Sequence, residues 1–157
     1  MEKAIFGAGC FWGIETAYRQ VKGVKATAVG YSGGALANPS YELVCTGQTG
    51  HAEVVLVEYD PDVVSYDDLL NVFWEVHDPT TLNRQGPDVG SQYRSAIYTA
   101  DDRQAEAARA SKEAQDQSGR HPGPVVTEIT PASEFFMAED HHQQFFEKRQ
   151  GAQRGII

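Results

Sequence analysis

The sequence predicts an α+β fold, a two-layer sandwich of sheet and helices, on three observations. Short β-branched or aromatic runs recur at 4–6, 24–31, 52–59, 95–99 and 125–129. Between some of them lie stretches with apolar residues at helical spacing. The alternation is not clean, because 24–31 and 52–59 follow one another without a helix between them. That argues against a doubly wound parallel sheet.

The elements follow in order. Ala4-Ile5-Phe6 suits a buried strand, and Gly7, Gly9 and Gly13 mark the turn after it. Trp12, Ile14, Ala17, Tyr18 and Val21 then recur at helical spacing until Gly23, so Cys10 sits where a strand hands over to a helix. A strand at Val24–Tyr31 closes at Ser32-Gly33-Gly34, and a long loop with Tyr41 and Cys45 leads to the strand Ala52–Tyr59. Ser65, with Asp68 three residues on, forms a capping box for a helix whose stripe is Leu69, Val72, Phe73 and Val76. Residues 78–92, rich in Pro, Thr, Asn and Gly, read as a long ordered loop, where function concentrates. Ser95–Thr99 is a strand, and Thr99 and Asp102 cap an alanine-rich helix that closes at Gly119. A last strand at Val125–Ile129 and a helix over about 138–149 complete the chain.

At 157 residues the chain has the size of one domain, read as 1–157. With 22 acidic against 13 basic side chains the net charge is -9, scattered rather than clustered. No Lys/Arg stripe is present to neutralise phosphates, so nucleic acid and anionic membrane are not expected partners. Two cysteines, Cys10 and Cys45, build neither a disulfide framework nor a four-thiolate zinc site. The first residues are a poor signal-peptide core and no apolar run spans a bilayer, so a reducing cytoplasm is the expected location.

Two stretches carry chemistry. In "GAGCFWG" (7–13) the dinucleotide fingerprint fails, since its third small residue falls on Trp12. What remains is a thiol just before a helix N-terminus, where unpaired N–H groups and the helix dipole favour a thiolate. In "TGHAEVV" (49–55) His51-Ala52-Glu53 matches the H-x-E of zinc deaminases, but no cysteine follows position 45 to complete that site. Glu53, flanked by apolar strand residues, reads as a desolvated acid with a raised pKa, or as an edge carboxylate in solvent. In "AEDHHQ" (138–143) His141 and His142 are adjacent and diverge on a helix, so they read as surface or interface residues; no metal is assigned.

Together with "GYSGG" (30–34), "NPSYELVCTG" (38–47) and "HDPTTLNRQGPDVGSQYRS" (77–95), these stretches resemble the A-type peptide methionine sulfoxide reductases from about Ala4 through "AEDHHQ". The resemblance implies a sandwich related to the ferredoxin-like plait and no cofactor. It makes Cys10 the nucleophile, Phe11 and Trp12 the walls of an apolar pocket for the substrate methyl, and Glu53 the proton donor. It makes Tyr41 and Tyr93 hydrogen-bonding partners of the sulfoxide oxygen, gives Asp88 a part in substrate positioning, and implies preference for the S epimer. The chemistry is coherent, because a sulfoxide sulfur is a poor electrophile until its oxygen is protonated or strongly hydrogen-bonded. The products are methionine and a cysteine sulfenic acid.

Many members of that family resolve the sulfenic acid with cysteines in a C-terminal tail, whereas this sequence ends "KRQGAQRGII". Cys45 is read as structural, which leaves a one-cysteine cycle in which an external thiol, from thioredoxin, a glutaredoxin and glutathione system or a small molecule, attacks directly. The expected substrate is free or protein-bound methionine sulfoxide and the expected state a monomer. Two other classes fit the residues alone: another single-thiol enzyme such as a peroxidase, and a non-catalytic module that binds methionine peptides.

Overall fold

The structure, a computed structural model, describes residues 1–149. Its centre is a six-stranded sheet in the order β7-β6-β1-β3-β2-β8, built from β1 (Glu2–Ala8), β2 (Val24–Ser32), β3 (Ala52–Tyr59), β6 (Ser95–Thr99), β7 (Glu128–Pro131) and β8 (Phe136–Met137). Every neighbouring pair is antiparallel except β6 and β7. Helices α1 (Phe11–Arg19), α3 (Tyr66–Glu75) and α4 (Asp102–Gln117) lie against one face. The protein is thus a mixed α and β fold with a mostly antiparallel sheet.

The period-two rule explains the layering. Phe6, Val29, Val55, Val57 and Ile97 point to the helix side and join Tyr18, Leu69, Leu70, Phe73 and Ala108 in the main core. Ala52, Val54, Ala96 and Tyr98 point the other way, against Ile5 and Phe135. Val54-Val55-Leu56-Val57 is a continuous apolar run because β3 is central and covered on both sides. The Ser65 capping box forms as the spacing predicts: the Asp68 N–H donates to Ser65 Oγ at 3.0 Å and the Ser65 N–H donates to Asp68 Oδ2 at 3.1 Å.

Several expectations are corrected. Tyr41–Cys45 forms a short helix, α2, inside the predicted loop, capped by Ser40. The long loop contains a hairpin, β4 (Arg84–Gln85) with β5 (Asp88–Val89), and a 3-10 turn at Ser91–Tyr93. The cap of α4 is Asp101, whose carboxylate accepts the Gln104 N–H at 2.9 Å, rather than Thr99 and Asp102. The predicted last strand begins later, at Glu128, because the Val125 and Val126 N–H groups donate instead to Asp116 and to the Pro79 carbonyl.

The predicted helix over 138–149 is broken. Asp140–His142 is a 3-10 turn and 145–149 is helical, with Gln144 between them at φ 51. The Gln144 N–H donates to buried Glu15 on α1 at 2.6 Å, and the Gln143 amide bonds both the N–H and the carbonyl of Val29 at 2.8 Å. Those long-range bonds replace the ones that a continuous helix needs.

Candidate active site

The site forms where β1 hands over to α1. Gly9 has φ +97, and a Cβ there would lie 2.7 Å from Gln85 Cγ, so glycine lets the β4–β5 hairpin close on this turn. Cys10 follows as the half-buried N-cap residue of α1. The next N–H, that of Phe11, donates to Glu53 Oε1 at 3.3 Å.

Glu53 stands near the start of β3, opposite Tyr31 of β2, and is 1% exposed. Its Oε2 is buried with no partner among the described residues. Burial pushes the carboxyl up to about 8; the Phe11 N–H pulls it down and Asp88 raises it further. Of the two readings of Glu53, the desolvated acid is the one with the observed burial.

The expectation that the helix N-terminus leaves Cys10 as a thiolate is corrected. Burial pushes the thiol up to about 11, and although the Trp12 N–H beside the sulfur draws it down, Glu53 and Asp88 add to the rise. Desolvation acts on the full charge of a thiolate, whereas the helix end offers only partial charges.

Three more predicted residues converge here. Tyr93, at the end of the 3-10 turn, has its phenol pushed up to about 12, first by burial and then by Glu53, Cys45, Asp88 and Cys10. Tyr41, at the first position of α2, is raised by burial, by Glu53 and by the neighbouring Cys45. Both phenols therefore keep their protons at neutral pH and can donate hydrogen bonds. Asp88, on β5, acts electrostatically on Cys10, Glu53 and Tyr93.

The two aromatics part company. Phe11 is 1% exposed and belongs to the core, with its ring centroid 5.8 Å from that of Tyr31 and 5.4 Å from that of His142. As the first residue of α1 it turns inward. Trp12 is partly exposed, stacks on Phe145 at 3.8 Å between centroids and 4° between planes, and donates its indole N–H to His142 Nδ1 at 2.9 Å.

His142 corrects the surface reading for one of the paired histidines. It is 2% exposed and faces Tyr41 at 4.5 Å between centroids, while His141 stays in solvent. Since Nδ1 accepts from Trp12, a neutral ring carries its hydrogen on Nε2, which is buried without a partner among the described residues. Glu139, three residues earlier, accepts from the Tyr31 hydroxyl at 2.9 Å and from the Tyr41 N–H at 3.1 Å. The sequence reading missed Glu139 and His142 as site neighbours, because the partners that bring them there, Tyr31, Tyr41 and Trp12, lie far away in the chain.

Cys45 is exposed, at the end of α2 beside the Tyr41 hydroxyl and the Gln92 amide, so it packs no core as a structural cysteine would. Cavities of about 320 and 430 Å³ open elsewhere, and none of these residues lines them. Among the described residues no group of three or more His, Cys, Asp or Glu side chains is placed to hold a metal ion, and no helix is long and apolar enough to cross a membrane.

Known proteins are similar to this chain in sequence and in fold. The family model for peptide methionine sulfoxide reductase matches residues 2–156. A peptide methionine sulfoxide reductase MsrA of Methanosarcina mazei is 65% identical over 149 residues, covering 95% of this chain and 71% of its own. The structure of methionine sulfoxide reductase A of Corynebacterium diphtheriae superposes with a TM-score of 0.88 at 45% identity, covering 94% of this chain and 74% of its own. That of Mxr1 from Saccharomyces cerevisiae in complex with Trx2 superposes with a TM-score of 0.62 at 26% identity, covering 92% and 84%.

Proposed function

The chain belongs to the peptide methionine sulfoxide reductase family, and from that premise we propose how its own residues carry the thiol-dependent reduction of methionine sulfoxide to methionine. The observation that carries the reading is Glu53, held by one oxygen on the N–H that follows Cys10, with its other oxygen buried and unbonded.

Protonated Glu53 gives its proton to the sulfoxide oxygen, and the phenols of Tyr41 and Tyr93 donate hydrogen bonds to it. That polarises the sulfur toward a sulfonium, whose partial positive charge lowers the thiol pKa, and Glu53, left ionised by the first transfer, takes the Cys10 proton back as Sγ attacks. Cys10 Sγ attacks the sulfur. The S–S bond so formed and the original S–O bond then break as the hydroxyl passes to Cys10 Sγ, so the sulfoxide sulfur is reduced by two electrons and leaves as methionine while Cys10 is oxidised by two electrons to the sulfenic acid. Trp12, the partly exposed one of the two aromatics, faces the methyl and the electron-poor sulfur, Phe11 closes the pocket from the core side, and Asp88 helps to position the substrate. The S epimer is the substrate.

An external thiol condenses with the sulfenic acid, releasing water, and a second thiol frees Cys10 from the mixed disulfide. The complex of Mxr1 with Trx2 supports thioredoxin for this role; a glutaredoxin and glutathione system or a small thiol is the alternative. We read 1–157 as one catalytic domain that works as a cytoplasmic monomer and repairs oxidised proteins. Relation to the ferredoxin-like plait is supported by the antiparallel order β6-β1-β3-β2 with α1 and α3 on one face.

The test is a single turnover: reduced protein, no added reductant, and separated S and R epimers of N-acetylated methionine sulfoxide. The S epimer alone yields one methionine per chain with loss of the Cys10 thiol. No methionine from either epimer, or faster oxidation of Cys10 by peroxide than by the sulfoxide, would overturn the reading.

A further inference from the structure

Tyr41 opens a helix of only five residues, too short to hold its own position. Ser40 caps it by accepting from Leu43, at 3.2 Å, so the Tyr41 N–H at the first helical position needs a partner from outside. Glu139 supplies it through Oε2 at 3.1 Å, and its Oε1 accepts the hydroxyl of Tyr31 at 2.9 Å. Tyr31 is fully buried in β2 and lies directly opposite Glu53 in the register with β3. One residue before Glu139, the Ala138 N–H is bonded to the Val29 carbonyl of the same strand at 2.9 Å. The carboxylate thus joins the five-residue helix that carries Tyr41 to the strand pair that carries Glu53, over sequence separations of 98 and 108 residues.

We propose that Glu139 is a positioning residue of the reductase reaction, holding the Tyr41 phenol at a set place relative to Glu53. This rests on the sulfoxide-binding role given to Tyr41 above. Burial pushes the Glu139 carboxyl up, but the Tyr41 N–H, its own backbone N–H, the Tyr31 hydroxyl and nearby His142 outweigh it and leave it below the ordinary carboxylate value. It is therefore charged at neutral pH, and accepts from both donors.

The test compares single-turnover rates with the S epimer in the native enzyme, Glu139→Ala, Glu139→Gln, Tyr41→Phe and the Glu139→Ala/Tyr41→Phe pair. Glutamine keeps both contacts, accepting from the Tyr41 N–H and donating to the Tyr31 hydroxyl oxygen, so it retains the native rate. Alanine lowers the saturated rate about tenfold when Tyr41 is present, and by less than about twofold when Phe replaces it, since the two residues act as one unit. Equal losses in both backgrounds, loss in the glutamine variant as great as in alanine, or a native rate for alanine would overturn the proposal. Tyr41→Phe alone separates the two ideas: if it is slow while Glu139→Ala is fast, only Glu139 loses its role. If Tyr41→Phe turns over at the native rate, the role given to Tyr41 falls, and the proposal with it.

Discussion

Glu53 Oε1 accepts the Phe11 N–H at 3.3 Å while Oε2 is buried with no partner among the described residues. A carboxylate with one oxygen unpaired in an apolar site is costly, and the neutral acid avoids that cost. Glu53→Gln keeps the Phe11 contact and removes the acidic proton. The single-turnover rate is expected to fall by about 10²–10⁴, the usual contribution of a positioned acid, with the Cys10 thiol still titratable. A rate within a few-fold of native in rapid-quench measurements would remove Glu53 from the proton-donor role.

The same group sets a pH dependence of stability. Its folded pKa, about 8, is raised above the ordinary 4.5, so between these values the folded state binds more protons than the unfolded chain. The contribution is full below about pH 4.5 and is lost as pH rises through about 8. Thermal melts of native protein and Glu53→Gln should therefore diverge, with the native protein losing Tm relative to the variant from pH 5 to pH 9. Parallel curves would show that Glu53 is not desolvated.

Trp12 is oriented through its indole N–H on His142 Nδ1 at 2.9 Å. His142→Phe removes the acceptor but keeps an aromatic ring, at a cost of about 1 kcal/mol for one such bond. If the indole lines the methyl pocket, KM rises about fivefold with little change in kcat, and Trp emission shifts. An unchanged KM would show that the indole orientation does not matter to binding.

Exposed Cys45 separates two cycles. Cys45→Ser is expected to give one methionine per chain and to turn over with an external thiol at the native rate. Mass analysis of sulfoxide-oxidised native protein showing quantitative Cys10–Cys45 disulfide would replace the one-cysteine cycle with an internal one.

Phe73, fully buried, packs on Phe6 at 5.5 Å and on Trp74 at 4.9 Å between centroids. Phe73→Ala is expected to cost about 3–5 kcal/mol in urea unfolding through the cavity left behind, with native activity per folded molecule. A cost below about 1 kcal/mol would mean that the core collapses around the gap.

Local patterns along the chain carry part of this fold and site. β3 was readable from its continuous apolar run, α3 from its stripe and capping box, and the seat of Cys10 from glycines after an apolar run. The uncommon motifs brought in Glu53, Tyr41, Tyr93 and Asp88. The short α2 and the β4–β5 hairpin escaped because they draw their stability from contacts with distant segments rather than from periodicity. Tertiary structure alone decided the sign of the Cys10 shift, the unpaired oxygen of Glu53, and the recruitment of Glu139 and His142. Desolvation belongs to the surroundings of a group and not to its neighbours in the chain. The Phe11–Glu53 and Trp12–His142 bonds span 42 and 130 residues, and they exist only because the packed sheet brings those segments together.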